Sequence, residues 1–237
     1  MIIDQLVLEV TRRCNMRCSH CLRGDAQAID MSREVLDRVF SQVSRVSSLT
    51  VSGGEPSMAV PVIKDMIDAI RRHNVEVGSF FVVTNGKTSP EVAKRFAYTL
   101  MDLYALCDSW EDGCGGLTVS GDAWHEEVDI PSIYGGLSFF LKDTRHGPTS
   151  VDGVINTGRA AQFSLGIRKP STIAKWEVEE WDGEIGVQET VYVSAQGNVI
   201  SDCDQSYETI DGESFGNVLT EDLQTIIKQN TVAEDVS

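Results

Sequence analysis

Thr11-Arg12-Arg13-Cys14-Asn15-Met16-Arg17-Cys18-Ser19-His20-Cys21 holds three of the chain's six cysteines within eight residues, directly after an alternating apolar run, Ile2 to Val10, that reads as a strand. Thiolates spaced by three and then two residues can surround one small inorganic centre, because soft sulfur ligands favour zinc and iron–sulfur clusters. Two arrangements compete. A closed structural zinc site needs a fourth protein ligand, and His20 is the nearest candidate. His20, however, lies between Cys18 and Cys21, and adjacent loop residues rarely all point at one ion. A [4Fe-4S] cluster on Cys14, Cys18 and Cys21 needs no fourth protein ligand and leaves one iron open to a substrate or cofactor. The open cluster is the preferred reading, with inert or disulfide-bonded cysteines a third.

Working outward, Ser32 is placed to cap a helix with Val35, Val39, Val43 and Val46 on one face, and Ser48 to Ser52 reads as a short buried strand. That strand runs into Gly53-Gly54-Glu55-Pro56. Paired glycines permit a sharp turn and a close backbone approach to a ligand, and Glu55 offers a carboxylate to an ammonium group. Pro61 suits the first turn of a second helix, with Ile63, Met66, Ile67 and Ile70 inward. Val77 to Thr84 is a third strand ending in Thr84-Asn85-Gly86, and Ser89-Pro90 opens a third helix with Val92, Phe96, Leu100 and Leu103 directed inward. A fourth strand, Gly116 to Ser120, leads to Asp122, Trp124 and His125. Asp122 can cap a turn or face a ligand, and His125 is a candidate proton relay. Repeated strand–helix units imply parallel strands with active groups at their C-terminal ends. Beyond residue 126 the periodicity weakens; Ile133 to Leu141 reads as helix and Gly153 to Asn156 as a fifth strand.

Cys-x3-Cys-x2-Cys after a first strand, followed one helix and one strand later by Gly-Gly-Glu-Pro, resembles the radical S-adenosylmethionine (radical SAM) family. The resemblance implies an α/β fold, a partial (β/α)6-type barrel, and an enzyme with one [4Fe-4S] cluster on Cys14, Cys18 and Cys21. It implies that S-adenosyl-L-methionine is cleaved reductively to a 5′-deoxyadenosyl radical that removes hydrogen from a substrate. Cofactor contacts carried by the resemblance are His20 near the adenine, in a place usually aromatic, and Gly53, Gly54, Glu55 and Pro56 around the methionine amine. Thr84, Asn85, Ser120 and Asp122 follow at later strand ends. Thr157-Gly158-Arg159-Ala160 is similar to an element near the end of the barrel, with Arg159 a partner for the SAM carboxylate or for a surface ion pair.

The tail adds a second resemblance. Strands at Glu189 to Ser194 and Val199 to Ser201 around a turn, then Cys203, Phe215-Gly216-Asn217 and a helix capped by Thr220, are similar to a SPASM/twitch-type extension. Most of its auxiliary-cluster cysteines are missing, so Cys107, Cys114 and Cys203 read as incidental thiols and the tail as a small hairpin-plus-helix cap over the barrel mouth. The expected division is residues 1–160, the barrel, and 161–237, the extension.

The formal charge of −16 is uneven: residues 1–100 hold 13 Lys or Arg against 11 Asp or Glu, residues 101–237 hold 7 against 25. An acidic second half repels phosphate backbones and disfavours a nucleic-acid polymer as partner. Asp4 and Glu9 in the first apolar run argue against a signal peptide or membrane span, and clustered cysteines suggest a reducing cytoplasm. The two resemblances imply modification of a peptide, with a small polar molecule or nucleotide as the alternative substrate, and an external one-electron reductant of flavodoxin or ferredoxin type. A non-catalytic metal-binding scaffold is the competing class.

Overall fold

The computed structural model describes residues 1–108, 116–141, 150–181 and 183–232. Four strands, β1 (Ile2–Glu9), β2 (Arg45–Ser52), β3 (Glu76–Thr84) and β4 (Gly116–Val119), alternate with α1 (Arg33–Phe40), α2 (Val60–His73) and α3 (Pro90–Tyr104). Successive strands pair in parallel. Leu6 and Leu8, Leu49 and Val51, and Phe80 and Val82 are fully buried on the face that packs with the helices in one continuous core. The side chains between them, Gln5, Val7, Thr50, Ser52, Phe81 and Val83, line the opposite, hollow face.

Local signals set the helix starts. Ser32 and Ser89 accept hydrogen bonds from the Val35 and Val92 amides, capping α1 and α3, and Pro61 and Pro90 occupy first turns. The helix expected to run through Val46 stops at Phe40: Val43 lies in the connecting turn and Val46 pairs with Ile3 and Val77 in β2. Helical spacing of valines continues past the helix by coincidence, and the β-branched residue takes the ladder instead. Ile133–Leu141 is likewise not a helix; Ser132–Gly136 forms one 3-10 turn, where adjacent glycines weaken helix propagation. Gly153–Asn156 forms no strand: Val151–Gly153 is a 3-10 turn and Ile155 makes an isolated bridge to Arg168.

Between β4 and the tail hairpin, where a six-unit barrel requires two further strand–helix units, the described residues form 3-10 turns, α4 (Gly158–Gln162) and β5 (Val178–Trp181). The hairpin itself, β6 (Glu184–Val193) and β7 (Asn198–Ile200), is antiparallel as expected. β6 also runs parallel to β1, so the sheet order is β4-β3-β2-β1-β6-β7-β8, with β8 at Gly216–Asn217 and β5 paired to β6. The hairpin therefore extends the sheet sideways, while Thr190, Cys203 and Asp204 of the tail reach the hollow face. An unforeseen helix, α5 (Tyr207–Glu213), is capped by Ser206. The last helix, α6 (Leu223–Gln229), starts after Asp222; Thr220 bonds Asn217 O instead of capping it. Among the described residues no helix is long and apolar enough to cross a membrane.

Candidate active site

The cysteine loop leaves the C-terminal end of β1 and is fastened on three sides. Arg12 N–H donates to Ile29 O and Gln27 N–H to Arg12 O, closing the loop's base. The turn after β2 is stitched beneath it, Gly54 N–H to Thr11 O (2.7 Å) and Glu55 N–H to Arg13 O (2.8 Å). A Cβ on Gly53 or Gly54 would collide with the carbonyl oxygen of Thr11 or Arg13. These glycines therefore permit close contact between two backbone segments, a tighter requirement than the ligand approach expected from sequence. On the third side Gly158, at φ +56°, and Arg159 press against the loop: the Arg159 and Ala160 amides donate to Cys21 O. The buried Arg159 guanidinium reaches Cys18 O (3.2 Å), Gly24 O (3.1 Å) and Asp25 (2.9 Å).

Cys14, Cys18 and Cys21 are half-buried and line a cavity of about 450 Å³. His20, Gly53, Gly54, Glu55, Pro56, Thr84, Asn85 and Ser120 line the same cavity, joined by Arg23, His125, Thr190, Cys203 and Asp204. Glu55 is buried and held rigidly: Oε1 accepts from Ser57 N–H and Thr84 Oγ1, Oε2 from Asn85 N–H. Asn85 Nδ2 also lies 3.9 Å from Cys14 Sγ. Asp122 and Arg159 stand behind the wall. Asp122 accepts from the Trp124 and His125 amides and pairs with His125 Nδ1 at 2.8 Å, so its turn-capping role is realised. Burial opposes ionisation of Asp122, yet the His125 and Trp124 hydrogen bonds hold its carboxyl below the usual range.

A cluster fits these residues. Burial pushes the Cys18 thiol up to about 11, with Cys21 and Cys14 adding to the effect, and burial raises Cys14 as well. Bare thiolates at Cys14 and Cys18 are unfavourable here, and a cationic iron centre would reverse that penalty. Two thiolates on one tetrahedral ion lie about 3.8 Å apart. The three cysteines do not form a trio of donors within 4.8 Å among the described residues, which suits a multi-iron cluster with one thiolate on each of three irons. Of the other cysteines, Cys107 is buried with its S–H toward Leu103 O, and Cys114 lies outside the described residues.

Sequence reasoning missed the link between tail and cysteine loop. Glu9, fully buried at the end of β1, accepts from Arg12 Nε (2.6 Å), Ala195 N–H (3.0 Å) and Tyr192 Oη. Arg12 extends to Asp211 of α5 through two 2.7 Å bonds and lies over the Tyr207 ring. Charged residues in an apolar strand were its only sequence signal. A more open groove of about 570 Å³ lies outside the loop between the starts of α2 and α3; its Arg13 and Lys87 are paired with Asp30 and Glu126.

Residues 8–106 match the profile of the radical SAM superfamily. A PqqA peptide cyclase from Rhodopseudomonas palustris is 34% identical over 95 residues, covering 38% of this chain and 23% of that protein. A probable GTP 3′,8-cyclase from Pyrococcus horikoshii is 28% identical over 105 residues, covering 42% and 32%. The matched segment is thus a quarter to a third of each relative's length. Among solved structures, BtrN in complex with AdoMet and 2-DOIA shares the fold over 95% of this chain and 82% of its own, with a TM-score of 0.50 at 13% identity. Residues 8–106, which bring the cysteine loop and the Gly-Gly-Glu-Pro turn to one cavity, are the segment in which this chain is similar to the radical SAM superfamily.

Proposed function

We propose that this chain is a radical SAM enzyme that modifies a peptide, using one [4Fe-4S] cluster and drawing single electrons from an external flavodoxin- or ferredoxin-type donor. When bound, cluster and S-adenosyl-L-methionine together supply reductive cleavage of the sulfonium and a 5′-deoxyadenosyl radical for hydrogen abstraction. Cys14, Cys18 and Cys21 hold the cluster. Glu55, its carboxylate fixed by Ser57, Thr84 and Asn85, keeps acceptor capacity toward the cavity for the methionine ammonium. Gly53, Gly54 and Pro56 shape that wall, His20 offers a flat ring for the adenine, and Ser120 a hydroxyl for the ribose. Asp122 and Arg159 act on these groups from behind, Asp122 through His125 and Arg159 through the Cys18 carbonyl. Residues 161–237 form the extension, whose Thr190, Cys203 and Asp204 complete the cavity wall and limit water.

The observation that carries the reading is the meeting of three half-buried cysteines and Glu55 in one cavity at the C-terminal ends of parallel strands. A peptide substrate is favoured over a nucleotide by the acidic second half, which repels phosphate, and by the similarity to a peptide cyclase. The test is anaerobic reconstitution with iron and sulfide, addition of SAM and dithionite, and mass-spectrometric assay of 5′-deoxyadenosine. Formation above a Cys18→Ala control supports the reading; no iron–sulfur absorption in the wild-type chain refutes it.

A further inference from the structure

Cys18, His20 and His125 each place a ligand atom within 4.8 Å of the other two, and no other His, Cys, Asp or Glu trio among the described residues does so. Cys18 and His20 come from the cysteine loop, whereas His125 arrives from the turn after β4. The His20 and His125 rings meet edge to face with centroids 4.9 Å apart. His125 Nδ1 is engaged by Asp122 Oδ1 at 2.8 Å, which leaves its Nε2 as the free donor. Asp122 is itself fixed by two backbone amides, so a carboxylate–imidazole pair is already oriented as such pairs are behind metal ions. His20 Nε2 lies 3.8 Å from Asp122 Oδ2, and its Nδ1 is buried without a hydrogen-bond partner, a defect that coordination of an ion through Nδ1 would offset.

We propose that Cys18, His20 and His125 form a site for a single borderline-soft divalent ion, of which zinc is the best match, and that this ion and the cluster exclude one another because both require Cys18. One thiolate and two imidazoles suit zinc. With ordinary zinc–ligand lengths these donors lie about 3.3–3.6 Å apart in a tetrahedral site, so side-chain rotation suffices to close the trio. The fourth position is open to water. The exclusion rests on the proposed reading of Cys14, Cys18 and Cys21 as cluster ligands; the ion site itself does not.

The test uses the full chain, reduced, chelator-treated and anaerobic, titrated with cobalt(II) as a spectroscopic probe and then with zinc. One cobalt per chain is expected, with tetrahedral d–d bands and a thiolate charge-transfer band that zinc abolishes. His125→Ala and His20→Ala each weaken binding by more than about a hundredfold, Asp122→Asn by about tenfold, and Cys14→Ala leaves affinity unchanged. Loss of binding in Cys14→Ala with retention in His125→Ala overturns the site in favour of a cysteine trio, as does a spectrum without tetrahedral bands. Zinc-loaded protein is expected to resist cluster assembly that zinc-free protein undergoes; equal assembly in both overturns the exclusion. Cobalt binding with these dependences in a zinc-free chain that assembles no cluster refutes the functional reading and upholds the ion site.

Discussion

Replacing Arg12 by methionine, which keeps the length of the side chain and removes its charge, probes the buried link between the tail and the cysteine loop. Arg12 and Glu9 are both inaccessible to solvent, and their 2.6 Å contact is the one direct ion pair of the Glu9 carboxylate among the described residues, with the charge of Arg23 acting on it from farther away. Burial opposes the Arg12 charge, but Asp211 and Glu9 more than offset it and raise its pKa. Arg12→Met leaves the Glu9 carboxylate with the Tyr192 hydroxyl, the Ala195 amide and the more distant Arg23 charge but no direct ion pair, so a loss of about 3–5 kcal/mol is expected, the cost of breaking one side of a buried ion pair. Asp211 is 37% exposed in its side chain, and solvent screens its half of the network; Asp211→Asn should cost only about 1 kcal/mol. In urea unfolding followed by far-UV circular dichroism at matched iron content, a slope of about 3 kcal/mol per molar puts the Arg12→Met midpoint about 1–1.7 M below wild type. The double variant Glu9→Gln/Arg12→Met should recover part of this, with a coupling energy of about 2 kcal/mol. A midpoint for Arg12→Met no lower than that of Asp211→Asn, or strict additivity in the cycle, would refute the assignment of the network as a buried, mutually dependent ion pair.

Gly54→Ala should cost about 1–3 kcal/mol and lower iron content on reconstitution, because its Cβ meets the Arg13 carbonyl. Gly135→Ala, with nothing within 4 Å of the added carbon, should stay within about 0.5 kcal/mol in the same melt. Arg159→Ala removes charge-assisted bonds to Cys18 O and Gly24 O worth about 1.5–3 kcal/mol; iron and sulfide per chain should fall at least about tenfold in retention under chelator challenge, with partial rescue by Arg159→Lys. Burial pushes the Cys107 thiol up to about 12, so the folded state keeps a proton that the unfolded chain releases nearer pH 9. Its contribution is therefore present below pH 9 and lost as pH rises toward 12, by about 1.4 kcal/mol per unit. Cys107→Ala should flatten that alkaline decline in reducing buffer, and an unchanged slope would contradict it.

Much of the site was legible because its signals are local. Cysteine spacing keeps Cys14, Cys18 and Cys21 within one short loop, and a glycine pair after a strand fixes where Glu55 turns inward. Serine caps and inward apolar stripes likewise place α1, α2 and α3 against β1–β4, since caps and periodicity act within a few residues. What tertiary structure decided are contacts between distant segments. Arg12 meets Asp211 across 199 residues, Arg159 grips the Cys18 carbonyl, and Asp122 orients His125 beside Cys18. β6 could be read as half of a hairpin, but not as the parallel neighbour of β1, because strand pairing depends on which edge is open once the other strands have assembled.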